Sequence, residues 1–120
     1  MKIVLDTNFV IYAVHYNIFH QLEKPGITII VPSAVVDELE KLSEKEKKAK
    51  DREAAKLALH IIYQTNIQIV KTMKKGDDAV IEAAEKEKAS IATLDEGLVN
   101  RASARRIKTV GIRQKRYVSL

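Results

Sequence analysis

Five carboxylates stand where this chain could bring them together. Asp6 closes the apolar run Ile3-Val4-Leu5, and Glu38 lies in a stretch with apolar residues at helical spacing. Asp77 and Asp78 follow Gly76, and Asp95 comes just after Ser90-Ile91-Ala92-Thr93-Leu94. Taken singly, Asp6, Asp77 and Asp95 read equally well as helix caps or turn residues, and Glu38 as a rim charge on an amphipathic helix. Converging, they would behave differently. Two carboxylates about 4 Å apart repel by about 4 kcal/mol at an effective dielectric near 20, so a cluster is tolerated where protons or a cation neutralise it. Oxygen donors without Cys or His favour a hard ion, Mg²⁺ or Mn²⁺. Such ions activate water and stabilise charge in phosphoryl chemistry. There is no cysteine, and the three histidines (His15, His20, His60) are scattered. Disulfides, thiolate metal centres and thiol catalysis are thereby excluded.

The elements that must position these acids alternate between strand and helix. Residues 2–5 read as a buried strand, followed by a helix from Phe9 toward Tyr16 and a turn over Ile18 to Leu22. Pro25-Gly26 breaks the chain before the β-prone run Ile27 to Val31. Ser33 is suited to cap the next helix, in which Val35, Val36, Leu39 and Leu42 follow helical spacing. At about 100° per residue, Glu38 sits on the rim of that apolar face while Asp37 and Glu40 point further into solvent. The charge-dense stretch 44–56 reads as a helix extension or an exposed connection, leading into an apolar-faced helix around Ala54 to Tyr63. Strands are expected at Ile67–Val70, Ser90–Thr93 and Lys108–Ile112, with helices after Gly76 and over 96–105. Strands joined by helical crossovers are parallel neighbours. The expected fold is a three-layer α/β/α sandwich around a parallel sheet of about five strands. In such sheets ligands bind beyond the carboxyl ends of the strands, where the strand order reverses. The acids fall there.

Length and composition agree with one packed domain over residues 1–120. The chain has 120 residues, 46% hydrophobic and 31% charged, enough for a core and too few for two. No apolar stretch is long enough to cross a bilayer, and the opening apolar run is too short for a signal peptide. A soluble, cytoplasmic protein is expected. The formal charge is +5, and it is uneven. Residues 101–120 hold Arg101, Arg105, Arg106, Lys108, Arg113, Lys115 and Arg116 and no acid. A patch of this kind attracts phosphate backbones, though a solvated basic surface without a ligand is an equal reading.

Four segments in order, Ile-Val-Leu-Asp6-Thr-Asn8-Phe, Val-Pro-Ser33-Ala-Val-Val-Asp-Glu38-Leu, Asp77-Asp78-Ala-Val-Ile-Glu-Ala-Ala and Ala-Thr93-Leu-Asp95, resemble the PIN domain (PilT N-terminus) nucleases. The resemblance spans essentially the whole chain. It implies a five-stranded parallel sheet and a metal-dependent ribonuclease whose acids match Asp6, Glu38, Asp78 and Asp95. These would serve as ligands of Mg²⁺ or Mn²⁺, with a metal-activated water cleaving the RNA phosphodiester. Asn8 and Thr93 match polar positions that orient ligands or substrate. Asp78, directly before Ala79, fits the family's third acid, leaving Asp77 to cap the helix or add an outer charge. Many relatives carry Asn where this chain has Leu94, which removes a polar support. The details look most like stand-alone archaeal PIN proteins, which are similar to eukaryotic ribosomal-RNA-processing PIN nucleases. VapC-type toxins share the acids, which would imply an antitoxin protein as partner. The family also implies a homodimer.

Two other classes stay in view. A haloacid-dehalogenase-like phosphatase needs Asp-x-Asp after the first strand, and Asp6-Thr7-Asn8 lacks the second Asp. A non-catalytic RNA-binding or assembly module would keep the fold but usually lacks one of the acids, all of which are present. RNA contacts are expected from Arg113, Lys115 and Arg116. Tyr117 is either a stacking residue or packing of the terminal segment, while Phe9, Tyr12 and Tyr63 are read as core. The six aromatics form no sheet-face stacking motif.

Overall fold

A computed structural model describes residues 1–120. In chain order the elements are β1 (Lys2–Leu5), α1 (Thr7–His15), a 3-10 turn (Phe19–Leu22), β2 (Thr28–Pro32), α2 (Ser33–Lys45), α3 (Ala49–Gln64), β3 (Gln68–Val70), α4 (Gly76–Glu87), β4 (Ser90–Ala92), α5 (Glu96–Ala104), β5 (Thr109–Arg113) and β6 (Tyr117–Ser119). One sheet runs in the order β3-β2-β1-β4-β5-β6, flanked by the five helices. The first five strands pair in parallel, β1 lying between β2 and β4. Successive crossovers therefore move outward from β1 to β3 and then return to its other side. The reversal falls between β1 and β4, and it places Asp6 and Asp95 on neighbouring strand ends.

The sheet is mixed where five parallel strands were expected. β6 pairs antiparallel with β5, Arg113 opposite Tyr117. The turn between them carries Gln114 at φ 53° and Lys115 at φ 61°, and Arg116 N–H donates to the Arg113 carbonyl at 3.2 Å. Two left-handed residues give the hairpin the twist its strands need. Asn and Gly are the usual residues there, and their absence hid the turn from sequence reading. The charged stretch 44–56 resolves into the end of α2, a break at Glu46–Lys48 and the start of α3. Ser33 is not a cap but the first residue of α2, with Pro32 in the cap position. Its hydroxyl instead accepts from Thr72 N–H at 3.0 Å, tying α2 to the loop after β3.

Packing follows the apolar pattern. Ile3, Val4 and Leu5 of β1, Ile30 and Val31 of β2, and Ile91 of β4 have no exposed surface, as expected for central parallel strands covered on both faces. Helix α4 offers Val80, Ile81, Ala83 and Ala84 to the core, and α2 offers Val35, Val36 and Leu39. Small residues in α4 let it lie close over β1, β2 and β4. Each fully buried Leu, Ile or Phe contributes about 1.5–3 kcal/mol of transfer free energy. Truncating Leu5 to Ala would cost about 2–5 kcal/mol and loosen the strand that ends at Asp6. Phe9 belongs to this core, Tyr12 is half-buried, and Tyr63 is exposed, its hydroxyl donating to Glu40 at 3.0 Å. The core reading of Tyr63 is thus corrected: it lies one position past Ile62, off the buried stripe of α3.

Candidate active site

Asp6 is the centre of the carboxyl edge. It is only 7% exposed. One oxygen accepts the Phe9 N–H at 2.8 Å as the N-cap of α1, and the other accepts the Thr93 hydroxyl. The Thr93 hydroxyl in turn accepts the Asp95 N–H at 3.0 Å. Asp95 caps α5, taking the Gly97 N–H at 3.2 Å. A single buried hydroxyl thus joins the ends of β1 and β4 and sets the spacing of two acids. Burial pushes the Asp6 carboxyl above its ordinary value, its two hydrogen bonds oppose this, and the charges of Asp77 and Asp95 push it further.

Adjacent residues on a helix are about 100° apart, and this separates Asp77 from Asp78. Asp77 turns inward and lines a hollow of about 190 Å³ with Asp6, Asn8 and Glu38, walled by Val35 and Val80. Burial raises its carboxyl first, followed by the Asp95 charge, while Arg101 pulls the other way. Asp78 is exposed and ion-paired with Arg101, which holds its carboxyl below the usual range. The structure therefore brings together Asp6, Asp77, Glu38 and, across Thr93, Asp95. It does not bring Asp78, the acid that the family resemblance implies, into that hollow.

Residues without a sequence signal position Asp77. The Glu82 carboxylate accepts Met73 N–H at 2.9 Å and Lys74 N–H at 2.9 Å, folding the loop before α4 back on its own helix. Gly76 then takes φ +59° to begin α4, a conformation that costs a side-chain-bearing residue about 1 kcal/mol or more. Arg101, read only as part of a basic run, holds Asp78 outward. The partners of Glu82, Ser33 and Arg101 are eight to 39 residues away, and no spacing rule announces them.

The seven C-terminal cations do not form one patch. Arg101 and Arg105 pair with Asp78 and Glu85. Arg106 and Lys108 lie with Lys2 and Lys88 around a hollow at the amino edge of the sheet. Arg113, Lys115 and Arg116, all exposed, reach the carboxyl edge without an acidic partner. Their hairpin is held down by Tyr12, whose hydroxyl donates to the Lys115 carbonyl at 2.9 Å. Gln21 adds two bonds, donating to the Arg116 carbonyl at 2.7 Å and accepting Val118 N–H at 2.8 Å. The Arg113 guanidinium lies 6.0 Å from the centre of the Tyr117 ring.

The donor set suits a hard divalent ion. It is entirely oxygen, none of its four acids is in an ion pair, and two of them resist ionisation. No three of these side chains close around one point.

A buried acid at a sheet switch point, flanked by acids from α2, α4 and α5, defines a class. The model of the PIN like domain matches residues 3–115, and the chain belongs to that family. Among curated relatives, Ribonuclease VapC4 of Methanocaldococcus jannaschii is 33% identical over 127 residues, covering 99% of this chain and 95% of that protein. Ribonuclease VapC9 of Archaeoglobus fulgidus is also 33% identical, covering 96% and 85%. Among solved structures, the PIN domain endonuclease Utp24 superposes with a TM-score of 0.72 at 22% identity, covering 98% of this chain and 88% of that one. No helix is long and apolar enough to cross a membrane.

Proposed function

We propose that this protein is an endoribonuclease that needs Mg²⁺ or Mn²⁺, with Asp6, Glu38, Asp77 and Asp95 holding the ion. The observation that carries the reading is the acid group around Asp6, which has no cationic partner and whose charge a bound cation would offset. A bound ion would neutralise that charge, polarise the scissile phosphate and supply a nucleophile from water at neutral pH. The chain's own residues do the rest. Thr93 keeps the Asp6 carboxylate in one orientation, Asn8 offers an amide at the mouth of the hollow, and Asp78 stands outside it. Arg113, Lys115 and Arg116 hold the RNA backbone near an acidic pocket that would otherwise repel it.

The test is cleavage of structured and unstructured RNA with Mn²⁺, Mg²⁺ or EDTA. Activity should require the ion, vanish in Asp6→Asn, and leave 5′-phosphate and 3′-hydroxyl ends. Products with 2′,3′-cyclic phosphate require attack by the ribose hydroxyl and would reject the reading. Two relatives named VapC favour a toxin role, with an antitoxin protein as partner, over a role in ribosomal RNA processing. Growth arrest on expression, relieved by a neighbouring antitoxin gene, tests that second point.

A further inference from the structure

Beside the acid hollow, and sharing Asn8 with it, is a second hollow of different chemistry. Helix α1 presents Ile11, Tyr12, His15 and Tyr16 along one outer face, the one-turn spacing that stacks side chains. Leu94 faces them from the loop between Thr93 and Asp95, and Asp51 at the start of α3 completes a cavity of about 210 Å³. Tyr16 is 56% exposed and Leu94 42%. The Tyr12 and Tyr16 rings lie 4.4 Å apart at 36°, and the His15 ring is 5.0 Å from Tyr16. Tyr16 and Leu94 are open to solvent, and the half-buried Ile11 and Tyr12 join them to the core.

We infer that this hollow is a base subsite: it stacks one unpaired nucleobase of the RNA strand whose phosphate enters the acid hollow. The claim rests on the ribonuclease reading and adds to it. An unpaired base has an apolar face and polar edges, and this hollow has matching walls. Tyr16, Tyr12 and Leu94 offer flat or aliphatic surface, and the Asp51 carboxylate offers an acceptor to a base N–H. Stacking on an aromatic ring tolerates any base. The backbone of the same nucleotide has cations within reach, because the Tyr12 hydroxyl ties this helix face to the hairpin tip at Lys115. Stacking surface, cations and carboxylates therefore lie in one continuous track. Leu94 forms the apolar wall of this subsite.

Equilibrium binding tests it, with the full chain in EDTA and a fluorescent single-stranded RNA octamer, intact or with one abasic position moved along it. Tyr16→Ala should weaken binding of the intact octamer by about five- to a hundredfold, the range for loss of one stacked base, and Tyr16→Phe should not. One abasic position should cost the wild type a similar factor and cost Tyr16→Ala nothing further. Because Tyr16 is exposed, both variants should melt with the wild type. Asp6→Asn should lose cleavage in Mn²⁺ yet keep the abasic discrimination. Equal binding by wild type and Tyr16→Ala, in a wild type that cleaves RNA, overturns the subsite alone. Wild type that neither binds nor cleaves RNA overturns the ribonuclease reading and the subsite with it. If Tyr16→Ala instead disrupts a complex of two copies at unchanged RNA affinity, the face is a protein contact and the inference is wrong.

Discussion

The two edges of the sheet treat charge in opposite ways. At the amino edge, Lys2 pairs with Glu87 at 3.5 Å and Arg105 with Glu85 at 3.0 Å, and the terminal ammonium donates to the Gly26 carbonyl. At the carboxyl edge Asp6, Glu38, Asp77 and Asp95 have no cationic partner, and the nearest arginine is held by Asp78. Exposed pairs contribute little to stability, so the amino edge is unremarkable chemistry on a solvated surface. Burial without a cationic partner pushes Asp6 and Asp77 up, and such strained groups cluster at functional sites.

The largest test breaks the carboxyl edge at its centre. Asp6→Asn keeps the size and capping ability of the side chain while removing its charge. Loss of outer partners alone typically costs ten- to a hundredfold in metal affinity or activity, so loss of Asp6 should exceed about a hundredfold in cleavage rate. Titration calorimetry with Mn²⁺ should lose its signal in parallel. Unchanged rate and unchanged Mn²⁺ binding would remove Asp6 from the site.

The second test sets neighbours against each other. Asp77→Asn should lower cleavage by about ten- to a hundredfold, while Asp78→Asn should leave it nearly unchanged if the ion is held in the hollow that Asp77 lines and Asp78 does not. The reverse ranking would mean that the helix rotates its first turn when RNA or metal arrives. Sequence reasoning chose Asp78, and the physical reason is instructive. Two consecutive acids in a first helical turn both suit the dipole, and nothing local says which one a distant arginine will claim. The placement of Asp6, Asp95 and Thr93 together was legible because strand ends at a switch point follow from topology alone. Glu38 was legible from helical phase. The hairpin and the partition of the C-terminal cations were not, since Gln114 and Lys115 carry no turn signature and the pairs of Arg101 and Arg105 span 23 and 20 residues.

Replacing Arg113, Lys115 and Arg116 with Gln tests whether the carboxyl edge holds RNA by charge. Each phosphate contact on a single strand contributes about 0.7 to the logarithmic salt slope, so three should flatten it by about 2. Melting should change little. An unchanged slope would mean that RNA enters by another face, and the cluster of Lys2, Lys88, Arg106 and Lys108 at the amino edge would be next to test.

Metal-free stability should show the cost of the acids. Asp6 and Asp77 titrate above 3.8 in the folded chain. A raised folded value gives stability that is complete below the unfolded pKa and lost as pH rises through the folded one. In EDTA, the melting temperature of wild type relative to Asp6→Asn should therefore fall as pH rises from about 4 toward neutrality. Asp78 and Glu82 are held low and act in the opposite sense, losing their contribution as pH falls, but both are solvent-screened. Mn²⁺ should lift the neutral-pH melting of wild type and not of Asp6→Asn. A difference that does not vary with pH would mean the acids are relaxed in solution and carry no such cost.

The smallest effects come from two positive-φ residues, one at each edge. Lys88 ends α4 at the amino edge with φ 52° and ψ 49°, and Gly76 begins the same helix at the carboxyl edge with φ +59°. A side chain is disfavoured in this region by about 1 kcal/mol or more, and glycine is not. Lys88→Gly should therefore stabilise the protein by up to about 1 kcal/mol, less whatever entropy the unfolded chain gains, and leave cleavage alone. Gly76→Ala should destabilise by a similar amount. A Cβ at Gly76 meets nothing within 4 Å, so its whole effect is conformational, and it acts on the residue immediately before Asp77. Cleavage by Gly76→Ala should consequently drop more than its stability does, measured well below the melting temperature. If both glycine exchanges move melting alone, the turn at Gly76 shapes only the helix end, and Asp77 is positioned by the Glu82 bonds to the preceding loop.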